Sequence, residues 1–271
     1  MKKDSSAPIG VFDSGVGGLT VVREIMRNLP EEKIIYFGDT ARLPYGSKSQ
    51  ETIIRYSRQI VRFLQDQGVK AIVIACNTAS ALALDVLEKE IDIPILGVVK
   101  PGAKVAAEAT IGKRVGVIAT EATIRSHMYR ELIQKIDPEI TVIGQPCPLF
   151  VPLVEEGWRK DEVTEIVARR YLKTLQEQDI DTLILGCTHY PLLRKLIGEI
   201  MGEQVRLVNP AYETSLALKQ LLKEQGLLNT ENKDSSYTFY VSDAAEKFRK
   251  FADTILPYDV DKTKQINLEE R

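Results

Sequence analysis

Two short stretches of this chain follow one plan. Residues 71–80 read AIVIACNTAS and residues 182–191 read TLILGCTHYP. Each opens with an apolar run, Ile72-Val73-Ile74 or Leu183-Ile184-Leu185, passes a small residue, Ala75 or Gly186, and reaches a cysteine. Hydrogen-bonding residues follow, Asn77-Thr78 in one case and Thr188-His189 in the other. An apolar run this short reads as a strand buried on both faces, as in parallel sheets covered by helices. Ligands sit at the carboxyl edge of such sheets. Two thiols at equivalent strand ends of two half-chains suggest two acid/base groups facing one substrate.

Strand and helix patterns alternate around these stretches. Residues 9–12 form an apolar strand that ends in Asp13-Ser14 and the loop Gly15-Val16-Gly17-Gly18. Residues 19–29 carry Leu19, Val22, Ile25, Met26 and Leu29 at helical spacing. A strand at 33–37 leads into residues 38–46, too long and specific a segment for a plain connector. Ser47 with Gln50 gives a capping-box signal. The helix behind it keeps Ile53, Ser57, Ile60, Val61 and Leu64 on one face and stops at Gly68. After the Cys76 strand come a helix at 79–89 and a strand at 94–99. Lys100-Pro101-Gly102 interrupts the pattern, and a strand at 113–119 starts it again.

Aligning Gly10 with Gly116 sets Ser14 opposite Thr120. Aligning the cysteines sets Val69 opposite Ile180 and Leu96 opposite Leu207. The expected fold is therefore α/β, with two pseudo-symmetric lobes, each a mostly parallel sheet flanked by helices, and the active site in the cleft between them. Residues 1–99 plus 210–271 form the first lobe in this reading and residues 100–209 the second. The tail (a helix at 214–224, a strand at 237–241, a helix at 244–255) is expected to pack back on the first lobe, with a polar loop at 229–236.

Composition excludes several classes. The 271 residues carry 36 Lys and Arg against 38 Asp and Glu, so neither nucleic acid nor a membrane surface is implied. No apolar run approaches the roughly 20 residues of a membrane helix. The first eight residues lead into no apolar signal segment, and three cysteines without close pairs do not make a secreted disulfide framework. A cytoplasmic enzyme is expected.

A cysteine on an apolar strand is often only core filler. Repetition beside polar neighbours argues for a cavity instead, whereas Cys147, in Gln145-Pro146-Cys147-Pro148, has no such setting and reads as structural. Zinc would need Cys76, Cys187, His189 and His127, without the close pairs of structural sites, so no metal is expected. A Cys–His hydrolase leaves Cys76 unused, and a residue two places along is rarely aimed at a nucleophile. The glycine loop is neither G-x-G-x-x-G nor a P-loop. It is a tight strand-to-helix turn, or a turn whose N–H groups receive a carboxylate with help from Ser14. Asp13 would cap the following helix or serve a nearby thiol.

Four stretches together, residues 10–19 (GVFDSGVGGL), 39–46 (DTARLPYG), 76–78 (CNT) and 186–191 (GCTHYP), resemble the glutamate racemases of the aspartate/glutamate racemase family. The segments ATEAT at 119–123 and LVEEG at 153–157 fit as well. The resemblance implies cofactor-independent, two-base racemisation of glutamate that supplies D-glutamate for peptidoglycan. It makes Cys76 and Cys187 the bases, with Cys76 acting on D-glutamate and Cys187 on L-glutamate. It places Asp13, Ser14, Tyr45, Gly46, Asn77, Thr78, Thr188 and His189 at the substrate, and Asp13, Glu155 and His189 as helpers of the thiols. A homodimer is implied too. The alternatives are a racemase of the same superfamily acting on aspartate or a hydantoin, and a non-catalytic module that binds acidic ligands.

The chemistry suits these residues. Inversion at Cα needs one group to take the proton from one face and another to deliver a proton to the opposite face. Cysteine, with an ordinary pKa of about 8.5, serves as thiolate on one side and thiol on the other when its surroundings tune it. Amide and hydroxyl donors around the substrate carboxylate stabilise developing charge, a task open to Ser14, Asn77, Thr78, Thr188 and, by the internal alignment, Thr120.

Overall fold

A computed structural model of the chain describes residues 4–230, 235–258, 260 and 263–268. The first unit runs β1 (Ile9–Asp13), α1 (Leu19–Asn28), β2 (Ile34–Gly38), α2 (Gln50–Asp66), β3 (Ala71–Ile74), α3 (Asn77–Leu87) and β4 (Ile95–Gly97). The second runs α4 (Val99–Ala109), β5 (Arg114–Ala119), α5 (Glu121–Arg125), α6 (Met128–Ile136), β6 (Thr141–Pro146), α7 (Phe150–Glu155), α8 (Glu162–Gln176), β7 (Thr182–Gly186), α9 (Arg194–Met201) and β8 (Arg206–Val208). The tail adds α10 (Pro210–Glu224), β9 (Tyr237–Val241), α11 (Ala245–Ala252) and β10 (Lys264–Gln265).

The described strands form two parallel sheets flanked by helices, ordered β10-β9-β2-β1-β3-β4 and β6-β5-β7-β8. Strands β2-β1-β3-β4 thus mirror β6-β5-β7-β8, and the register repeats with them. Gly10 pairs with Ile72, four residues before Cys76, and Gly116 pairs with Leu183, four residues before Cys187. β1, β3 and β7 are buried along their whole length, which is why they read as unbroken apolar runs. The outer pairing differs by one residue from the sequence alignment. Val73 pairs with Leu96 while Ile184 pairs with Val208, so Val208 and not Leu207 is the counterpart of Leu96.

Tertiary structure moved several boundaries. Lys100-Pro101-Gly102 does not interrupt anything; it lies in the first turn of α4, where the proline's missing N–H has no intrahelical partner to lose. α2 is capped by Ser49, whose hydroxyl accepts from Thr52 N at 3.3 Å, and not by Ser47. The chain turns once before the helix, with Lys48 N donating to the Tyr45 carbonyl at 3.1 Å. Asn77 and Thr78 belong to α3, not to a loop, because Cys76 itself is the N-cap. α10 begins at Pro210, earlier than expected, behind an Asn209 cap. In the tail, β9 pairs with β2 along five residues. Of the polar loop expected at 229–236, residues 231–234 lie outside the described residues.

Candidate active site

The carboxyl ends of β1, β3, β5 and β7 open onto one cavity of about 480 Å³. β1 brings Ser14. β3 brings Cys76 and, through the first turn of α3, Asn77 and Thr78. β5 contributes Thr120, and β7 contributes Cys187, Thr188 and His189. Tyr45 and Gly46 come from the loop after β2, and Glu155 from the end of α7. Every residue expected to act on or bind the substrate lines this cavity except Asp13, which is fully buried. A larger recess of about 850 Å³, beside Arg23, Arg194 and Arg206, holds neither thiol.

The Cys187 side carries a chain of polar contacts. Its Sγ lies 3.9 Å from His189 Nδ1, and His189 Nε2 lies 3.1 Å from Glu155 Oε1. Glu155 Oε2 in turn meets Lys247 Nζ of α11 at 3.7 Å. The expectation that a residue two places along would not face the thiol fails here. Tyr190 N donates to the Cys187 carbonyl at 3.1 Å, and that turn folds the imidazole back onto the sulfur.

On the Cys76 side, the sulfur accepts from Ala79 N at 3.5 Å. Asp13 does not cap α1, whose N-cap is Gly18 with no side-chain bond. Its Oδ2 accepts from Gly15 N at 3.0 Å, while its buried Oδ1 has no hydrogen-bond partner among the described residues. The glycine loop is a tight turn pressed against the second sheet. A Cβ on Gly17 would stand 2.3 Å from Thr188 Oγ1 and 2.5 Å from the His189 ring, so only glycine allows this approach. Thr20 Oγ1 adds a bond to the Thr188 carbonyl at 2.9 Å.

The model of the Asp/Glu/Hydantoin racemase family matches residues 9–214. The chain belongs to that family. This racemase is 50% identical over 261 residues to the glutamate racemase of Geobacter metallireducens, covering 96% of this chain and 97% of that one. The crystal structure of a glutamate racemase isoform from Bacillus anthracis superposes with a TM-score of 0.94 at 38% identity, covering 97% of this chain and 98% of that one. A Francisella tularensis glutamate racemase in complex with D-glutamate gives 0.92 at 44% identity, covering 98% and 100%.

The racemase's two thiols sit in unlike electrostatic settings. Burial and the neighbouring Asp13 carboxylate push the Cys76 thiol up to about 12, against the Ala79 N–H and Ser14. Burial raises Asp13 as well, against the charge of His189 and the Gly15 N–H. Burial alone would lower His189, but Cys187 and Glu155 together lift it to about 10. Burial pushes Glu155 up, yet the hydrogen bond and charge of His189 outweigh it and hold the carboxyl below its ordinary value. At neutral pH the site therefore rests with a neutral Cys76 and an imidazolium against Cys187.

Some of this racemase's site was invisible in the sequence. Asp39 is fully buried and anchors the cavity loop: it accepts from the Tyr45 hydroxyl, from Arg42 Nε at 2.9 Å and from Ser242 Oγ at 2.9 Å. The DTARLPYG segment contained that signal, though not the partners. Thr123 joins Thr78 and Thr120 in a triangle of hydroxyls at 2.9, 3.0 and 3.2 Å that crosses between the two units. Lys247 lies in the tail, where nothing in the sequence pointed to it. Cys147 is fully buried, its thiol directed to the Gln145 carbonyl, and does not line the cavity. Among the described residues, no group of three or more His, Cys, Asp or Glu side chains is placed to hold a metal ion.

Proposed function

We propose that this chain is a glutamate racemase that interconverts L- and D-glutamate without a cofactor, using Cys76 and Cys187 on opposite faces of Cα. The observation that carries this reading is the pair of thiols at mirrored strand ends in one cavity. The thiolate of one cysteine takes the α-proton, so the Cα–H bond breaks as an S–H bond forms. The thiol of the other then delivers its proton to the opposite face of the carbanion. The resting state suits L-glutamate first. Cys187, which faces the His189 imidazolium, takes the α-proton of L-glutamate, and Cys76 waits as the thiol donor. For the reverse direction Asp13 takes the Cys76 proton and the His189 imidazolium gives its own to Cys187, which then serves as the thiol donor. Ser14, Asn77, Thr78 and Thr188 hold the substrate carboxylates and stabilise charge that develops beside Cα. The similarity to glutamate racemases over nearly the whole chain favours glutamate over aspartate or a hydantoin.

The same reading assigns residues 1–99 plus 210–271 to one lobe and 100–209 to the other, with the cleft closing on substrate to exclude water. It makes the protein cytoplasmic, where D-glutamate enters peptidoglycan synthesis; its three free cysteines suit a reducing compartment. No helix among the described residues is long and apolar enough to cross a membrane. A homodimer is part of the proposal, and half-exposed Val163 and Ile166, one turn apart on α8, offer it an apolar surface.

Circular dichroism tests the reaction. Purified protein dialysed against chelator, with no cofactor added, should bring the signal of L- or D-glutamate to zero and leave both aspartates unchanged. Turnover of aspartate in place of glutamate would move the substrate assignment. Binding of glutamate without turnover would make the chain a binding module.

A further inference from the structure

Tyr129 belongs to α6 in the second unit and is 4% exposed. Its hydroxyl donates to Asn77 Oδ1 at 2.7 Å, across to the first unit. Asn77 follows Cys76 directly and lines the cavity. The ring itself lies beside the second strand end, because a Cβ built on Gly186, just before Cys187, would come within 3.3 Å of Tyr129 Cε2. One side chain outside the cavity lining therefore touches the neighbour of each thiol.

The chemistry of this contact has a direction. A phenol has a single proton, and burial, with Cys187 close by, keeps that proton on Tyr129 well beyond the ordinary range. Tyr129 therefore has a proton to donate, and it donates it to the oxygen of the Asn77 amide. The amide NH2 group then turns the other way, toward the cavity, where it meets an anionic carboxylate as a donor. Without the phenol the amide is free to flip and present its oxygen to that carboxylate, which repels it.

We propose that Tyr129 is a positioning residue for the substrate, fixing the Asn77 amide with its NH2 group facing a substrate carboxylate. The inference rests on the glutamate reading above. The carboxylate already carries its charge in the ground state, so the lost alignment falls mainly on binding, with only a small part on kcat from the charge that develops beside Cα.

Tyr129→Phe keeps the ring and removes the hydroxyl. It should raise KM for both enantiomers about tenfold, the order of one hydrogen bond to a charged group, with kcat changed by less than about threefold. In an Asn77→Ala background the same change should raise KM no further, since the amide it orients is gone. Equilibrium dialysis of D-glutamate with Cys187→Ala protein gives a readout that does not depend on turnover, and Tyr129→Phe should weaken that binding by the same factor. An unchanged KM, a fall in kcat alone, or KM effects that multiply in the double variant would overturn the proposal, because each is what a purely structural strut would give. Wild-type protein that binds D-glutamate but does not racemise it would instead fault the catalytic reading, and the dialysis result would still judge Tyr129.

Discussion

Replacing either Cys76 or Cys187 by alanine is expected to lower kcat/KM for glutamate by about 10³-fold or more, in both directions, while the fold survives. Each thiol is the sole proton carrier on its face of the cavity in this account. Both sulfurs border that cavity, so their removal opens no sealed void in a core. Cys147→Ala is the control. That residue is fully buried away from the site, so its loss should cost about 1 kcal/mol of stability and leave turnover within about twofold. Turnover near the wild-type level in either site variant would remove one of the two bases. A large loss in Cys147→Ala would mean that the site has been misplaced.

The second large effect concerns His189. His189→Asn removes the positive charge that faces Cys187, and kcat/KM should fall about 10²-fold. The fall must be the same from either enantiomer. L- and D-glutamate are mirror images with an equilibrium constant of one, so any asymmetry is confined to kcat and KM taken separately. Parent kcat/KM in the variant would show that the imidazolium does not assist the thiol. The same substitution has a stability signature. His189 is held at about 10 in the folded protein, above its ordinary 6.5. A raised folded value means that the folded state holds the proton more tightly. The stabilisation is therefore fully present below about 6.5 and is lost as pH rises through about 10. Denaturant melts of the parent and His189→Asn should differ most at pH 6 and converge toward pH 10; a difference that grows with pH would reverse the assigned sign.

The legible part of this protein was its strands. A parallel strand buried on both faces is apolar along its middle, so β1, β3 and β7 announce themselves, and the repeat in register pairs Ser14 with Thr120 and Cys76 with Cys187. Where the chemistry depends on contacts between distant segments, the sequence is silent. Tyr129 looks like an ordinary aromatic on the inner face of a helix, and only the fold brings its hydroxyl to Asn77. That His189 serves Cys187 is implied by the resemblance and not by spacing, which says nothing of the turn that Tyr190 N closes. Pro101 was read as a break because a proline's local rule carries no information about which turn of a helix it occupies. The Gly17 loop is held tight by Thr188 and His189, a contact from the other sheet that its own sequence does not carry.

The central claim is one thiol for each face of the substrate. Serine in place of either cysteine keeps the shape but offers a far weaker base, since a hydroxyl ionises much less readily than a thiol. A glutamate analogue with a leaving group on Cβ then reports proton removal alone, because loss of the α-proton is followed by elimination and no second proton need be delivered. Cys76→Ser should eliminate from the L-analogue and Cys187→Ser from the D-analogue, each leaving the other hand nearly untouched. If both variants consumed both hands at comparable rates, one mobile base would serve both faces, and the mirrored cysteines would reflect only the repeat of the fold.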